Sequence, residues 1–185
     1  SAGLHRAREA LIKRLAETHF DALLTRYNSE AVAEFDLSQA GKSSRRLRNT
    51  LLSYLATTPK GEKVVLDHYR AANNMTDRMA ALFLIAHSEM SAREGILESF
   101  YESWQDNALV IDKWFAAQAL SKRADTVDRV RALTAHPAFT YKNPNRVRSL
   151  VSSFSMMNQV RFHTAGGEGY RFLAETIVAV DKVNP

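Results

Sequence analysis

Residues Trp104–Ala119 read WQDNALVIDKWFAAQA and hold both tryptophans of the chain. The polar run Gln105-Asp106-Asn107 suits a tight turn, and the sequence on either side is apolar at helical spacing. Upstream, Ile96, Leu97, Phe100 and Trp104 recur at three- and four-residue steps; downstream, Leu109, Val110, Lys113, Trp114, Ala117 and Leu120 do much the same. Such steps place each set on one face of a helix. Two helices joined by a tight turn fold back on each other, so the stretch predicts a helical hairpin. A tryptophan buries about 150–250 Å², and Phe100, Trp104, Leu109 and Trp114 are therefore expected at the centre of the core. No catalytic chemistry is visible in the hairpin.

Outward from it, the same periodicity continues. Leu4, Leu11, Ile12, Leu15, Phe20, Leu23, Leu24 and Tyr27 predict one long amphipathic helix ending near Asn28-Ser29, and residues 29–42 predict a connection. Leu47 to Leu55, then Val64 to Tyr69, then Met79 to Ile85 mark three more helices, the last capped by Asn74 or Thr76. Ser91-Ala92-Arg93-Glu94 has the form of a capping box opening the hairpin. Asp125 is placed to cap a helix carrying Val127, Val130 and Leu133. Asn143-Pro144 opens another through Val147, Leu150, Val151 and Phe154, with proline in the first turn. Beyond the glycine-rich loop 165–169, Tyr170, Leu173, Ile177 and Val180 form the last helix, and Val183-Asn184-Pro185 reads as the cap of a further one. No stretch alternates long enough to make a strand. The expected fold is all-α: nine or ten helices in antiparallel pairs, stacked as an irregular superhelical array of the α-solenoid, armadillo or HEAT kind.

Composition bounds the function. The 185 residues suit one domain or two small lobes, and the net charge of +5 is mild. Absence of cysteine excludes disulfides, thiolate metal sites and cysteine nucleophiles, and fits a reducing, cytoplasmic location. No apolar run reaches the roughly 18 residues of a membrane span. No two of the six histidines lie four residues apart, so a His-Glu-x-x-His zinc site is absent. His87-Ser88-Glu89 matches the start of a zinc deaminase signature whose two cysteines are missing, and a buried or capping histidine is the better reading. There is no nucleophile elbow or phosphate loop, and Gly167-x-Gly169 follows no strand. Arg45, Arg46 and Arg48 predict a solvated helix surface before a phosphate site, and Asp112-Lys113, between apolar positions, predicts a partly buried, partnered pair.

Four blocks, in this order across most of the chain, carry a resemblance: NNMTD (Asn73–Asp77), NALVIDKWFAAQA (Asn107–Ala119), NPNRVRSL (Asn143–Leu150) and GEGYRFLAE (Gly167–Glu175). Together they resemble the C-terminal helical domain of bacterial aminopeptidase N, in the zinc-dependent gluzincin metallopeptidases. The resemblance implies a single helical domain over residues 1–185, cut from a larger enzyme at both ends. It implies zinc in the catalytic domain of the same polypeptide, no catalytic or metal residue and no bound cofactor here, and a bowl closing over the active site. The implied partners are that catalytic domain and a peptide substrate, without nucleic acid or membrane. Two rival classes stay open: a helical-repeat scaffold for a protein partner, and a basic helical-repeat module for nucleic acid. Asn145 and Arg148, three residues apart on one helical face, are the implied chamber residues, with Arg148 holding the downstream carboxylate of a peptide. The alternative for Arg148 is pairing with a neighbouring carboxylate or a helix end.

Overall fold

A computed structural model describes residues 2–31 and 34–183, so Ser1 and the Asn184-Pro185 part of the expected cap lie outside the described residues. Every regular element among the described residues is helical. The chain divides into two compact units, residues 1–85 and 86–185.

In the first unit α1 (Ala2–Thr18) and α2 (Phe20–Ser29) replace the single long helix. His19, at φ −116° and ψ 23°, leaves helical geometry, yet the main-chain bonds from His19 to Leu15 and from Leu23 to His19 carry across the bend. Tyr27 and Ala16 are buried, whereas Leu4, Leu11 and Leu15 of the expected apolar stripe stand exposed. The connection is shorter than predicted, because α3 (Gln39–Leu55) starts inside it, with the Ser38 hydroxyl accepting from the Gly41 amide. Helix α3 packs on α1, α2 and α4 (Gly61–Ala71), and Leu51, Leu52 and Leu55 with Val65 of α4 are buried. The turn from α3 to α4 needs Gly61, since a Cβ there would lie 1.9 Å from the Leu55 carbonyl oxygen. Thr58 finishes that turn: its hydroxyl donates to the same carbonyl and accepts from the Gly61 amide. Of the two capping candidates for α5 (Met75–His87), Asn74 serves, accepting from the Asp77 amide at 3.0 Å.

The second unit is arranged around α7 (Ala108–Ala119), whose neighbours are α6 (Arg93–Trp104), α8 (Thr126–Leu133) and the run Pro144–Met157. That run begins as α9 (Pro144–Val147) and widens into a π-helical segment, Arg148–Met157, which makes the most extensive contact with α7. The predicted α6–α7 hairpin is present, its turn closed by the Asn107 amide on the Trp104 carbonyl at 2.8 Å. The Asn107 side chain accepts from the Val110 amide and starts α7. The short α10 (Gln159–Phe162) and α11 (Glu168–Asp181) complete the unit, with Phe154, Phe162 and Phe172 meeting edge to face.

Four local expectations are corrected. Leu109 is 72% exposed. Packing on three sides leaves solvent to Ala108, Leu109 and Lys113 of α7, so the buried face is turned to take in Ile111 and Phe115 as well as Val110, Trp114 and Ala117. Trp104 is half-buried at the hairpin tip, whereas Phe100 and Trp114 are buried. The capping box does not form: α6 starts at Arg93 without a side-chain cap, and the Glu94 carboxylate pairs with Arg93 and Arg129. Asp125 does not cap α8 either, because the Arg123 guanidinium takes both its oxygens, at 3.0 and 3.2 Å.

Candidate functional site

The NPNR turn shows how local chemistry builds the site. Asn143 is extended (φ −103°, ψ 106°), and its side-chain oxygen accepts from the Asn145 and Arg146 amides at 3.0 and 3.4 Å. Pro144 at the first helical position gives up no hydrogen bond there. With the start fixed, successive side chains take different faces. Arg146 turns inward, its guanidinium 5.1 Å over the Phe115 ring and 3.2 Å from the Asp112 carboxylate. The contact with Asp112 is within ion-pair distance but poorly aligned for a hydrogen bond, so it is an electrostatic contact more than a directed one. Ser149 adds a weak bond to the same carboxylate at 3.4 Å. Asp112 is thus partly buried and partnered, though through Arg146 and not through Lys113, which is exposed.

Asn145 and Arg148 turn outward, and the structure brings them together: Arg148 Nη1 donates to Asn145 Oδ1 at 3.1 Å. Among the described residues no carboxylate lies within ion-pair distance of Arg148. Asn145 therefore orients the guanidinium while most of its five N–H donors stay free. Arg148 borders a groove of about 480 Å³ with Tyr141, Lys142, Pro144, Val147, Val180 and Val183. Two cations set among apolar walls can hold a carboxylate that ends an apolar or peptide chain.

The other sequence candidates have structural roles. Of the Arg45–Arg48 cluster only Arg46 is exposed; Arg45 is buried over Phe35, and Arg48 lies 4.7 Å over Tyr27. The expected solvated surface thus holds for Arg46, while Arg45 is turned inward and Arg48 is half-buried. Glu89 of the His-Ser-Glu match is held by Arg123. His136 packs edge-on at 4.7 Å to Tyr101 and near Trp114, and burial pushes its imidazole below the ordinary histidine range. Among the described residues no group of three His, Asp or Glu side chains is placed to hold a metal, so the residues present do not fit zinc. Sequence reasoning missed the Asp112–Arg146 contact and a polar cluster around His68; the one available signal for the latter was the Asn74/Asp77 spacing of NNMTD.

Over residues 1–185 the chain matches a family described as Domain of unknown function (DUF3458_C) ARM repeats. It is similar to Aminopeptidase N of Caulobacter vibrioides, 43% identical over an alignment of 188 residues that covers 100% of this chain and 22% of that protein. Aminopeptidase N of Escherichia coli is 38% identical over 180 residues, 96% of this chain and 21% of that protein. The crystal structure of Legionella pneumophila aminopeptidase A in complex with aspartic acid superposes with a TM-score of 0.86 at 31% identity, covering 98% of this chain and 23% of that one. The chain spans about a fifth of the length of the curated relatives it matches.

Proposed function

The chain belongs to the DUF3458_C family of ARM-repeat domains, and from that premise we propose that it is the C-terminal helical part of a zinc-dependent aminopeptidase that removes N-terminal residues from peptides. The observation that carries this reading is similarity along the whole chain to relatives named Aminopeptidase N, of which it makes up only 21–22%. The superposition of 98% of the chain on the Legionella aminopeptidase A structure supports it. Catalytic and metal-binding residues then belong to the rest of the polypeptide, in a cytoplasmic enzyme, and among the described residues of this chain no group of three His, Asp or Glu side chains is placed to hold zinc.

The contribution of this part is confinement: its helices form a wall of the substrate chamber. Arg148, oriented by Asn145, holds the downstream carboxylate of a short peptide. A charge-assisted bond of this kind contributes about 1.5–3 kcal/mol, so its loss weakens peptide binding by roughly tenfold or more. The test is Arg148→Ala in the full-length enzyme, with a tripeptide compared against an amino-acid anilide lacking a downstream carboxylate. The expected result is a raised KM for the tripeptide with kcat unchanged and the anilide unaffected, the signature of lost uniform binding. Equal effects on both substrates, or none on either, would refute the clamp. An intact parent without aminopeptidase activity would refute the wider reading.

A further inference from the structure

The first unit encloses a cavity of about 140 Å³, bordered by Arg45, Arg48, His68, Asn73, Asn74 and Asp77. Its acids are already satisfied. Asp77 accepts from Asn49 at 2.8 Å and from Asn74 at 2.9 Å, and Glu30, also on the wall, is held by Arg26 and Ser44. Its bases are not. Arg45 donates to the Asp36 main-chain carbonyl and Arg48 Nη2 to the Tyr27 hydroxyl, and among the described residues neither has a carboxylate within ion-pair distance. Arg48 Nε and His68 Nε2 are both buried without a hydrogen-bond partner, and His68 as a whole is only 3% exposed.

The protons can be placed. An arginine only donates, so Tyr27 accepts from Arg48 and is free to give its own proton to His68 Nδ1, 2.7 Å away. Burial, with Arg48 beside it, holds the imidazole below its ordinary pKa, against a smaller opposing pull from the Asp77 carboxylate and main chain. The neutral ring then carries its hydrogen on Nε2. Arg48 Nε–H is thus left without an acceptor and His68 Nε2–H without a well-formed hydrogen bond beyond the weak pull of the Asp77 main chain, an arrangement that costs stability when it stays unfilled.

We propose that this cavity is a binding site for a small oxyanion of the carboxylate or phosphate type, held by His68 Nε2–H and Arg48 Nε–H with Arg45 supplying further positive charge. Size agrees: the cavity, at about 140 Å³, has room for a small polyatomic ion. The site lies wholly in the first unit, whereas Arg148 belongs to the second, and it stands or falls independently of the aminopeptidase reading.

The experiment follows the imidazole nitrogens of the 185-residue chain by long-range ¹H–¹⁵N NMR near neutral pH. Inorganic phosphate and acetate are titrated in separate arms, against sodium chloride of matched ionic strength. The expected result is a saturable shift of His68 Nε2 with phosphate, acetate or both, absent with chloride, and no comparable shift of the exposed His163. The arm that saturates identifies the oxyanion. Arg48→Gln should weaken binding about tenfold or more, as loss of a charged donor does, while Arg46→Gln, on the exposed neighbour, should not. Should Arg48→Gln unfold, Arg48→Lys keeps the charge, removes Nε–H and should still weaken binding. A His68 resonance that ignores both anions, or one that shifts equally with chloride, would overturn the proposal.

Discussion

Replacing Trp114 by alanine tests whether α7 organises the second unit. The indole is 4% exposed and makes ring contacts with Phe115 at 5.0 Å, Tyr101 at 5.1 Å and His136 at 5.2 Å. Its Nε1–H donates to the Leu97 carbonyl at 2.8 Å and so ties α7 to α6. Truncating a buried large aromatic to alanine costs about 3–5 kcal/mol. The upper part of that range is expected, because three rings lose a partner at once: Tyr101 on α6, Phe115 on α7 and His136 in the turn after α8. Trp114→Phe keeps most of the ring contact and loses the hydrogen bond, for a cost of about 1–2 kcal/mol. Urea unfolding followed by Trp104 fluorescence is the assay, since Trp104 remains in both variants and reports the second unit alone. Far-UV circular dichroism follows all helices in parallel, and separate midpoints for the two signals would show that the units unfold separately. A loss below about 1 kcal/mol for Trp114→Ala would place the residue at a surface and refute the packing argument.

Two further outcomes follow from the structure. His68 and His136 are both held below their ordinary pKa by burial. Their neutral forms stabilise the fold above about pH 6.5, the unfolded value, and that stability is lost as pH falls from there through the folded values. The melting temperature should therefore drop between pH 7.5 and 5.5, and His68→Gln should flatten the dependence; an unchanged slope in that variant would contradict it. Gly61→Ala forces a Cβ to 1.9 Å from a main-chain oxygen, whereas a Cβ at Gly95 meets nothing within 4 Å. Gly61→Ala should lose more than about 2 kcal/mol, and Gly95→Ala, in helix α6, should gain about 0.5–1 kcal/mol, both measured by thermal or urea unfolding.

Much of the candidate site was legible in the chain. Asn143 and Pro144 fix a helix start by chemistry confined to four residues, and once it is fixed Asn145 and Arg148 must share a face. The observed hydrogen bond between them is a consequence of that spacing. What the pattern did not show is that Arg146, between them, turns inward to Asp112, which lies 34 positions away in sequence. The Arg45–Arg48 cluster reads as surface for the same reason. Charge suggests solvent, and only the docking of Phe35 and Tyr27 makes the cover under which Arg45 and Arg48 lie.

By itself the sequence determined that the chain is helical, roughly where most of the helices lie, that Asn143-Pro144 begins one of them, and that Asn74 or Thr76 begins another. Those features depend on periodicity and on caps reaching two or three residues, so local chemistry decides them. Tertiary structure decided which way each helix faces. Leu109 and Ile111 are equally apolar, but the π-helical segment, α6 and α8 surround α7 so that the first is left in solvent and the second is buried. It also decided the competition for side chains. Glu94 and Asp125 have the right residue types and positions to cap α6 and α8, yet arginines compete for both. Arg129, 35 positions along the chain, is brought to Glu94 by the fold, whereas Arg123 stands two residues from Asp125 and competes locally.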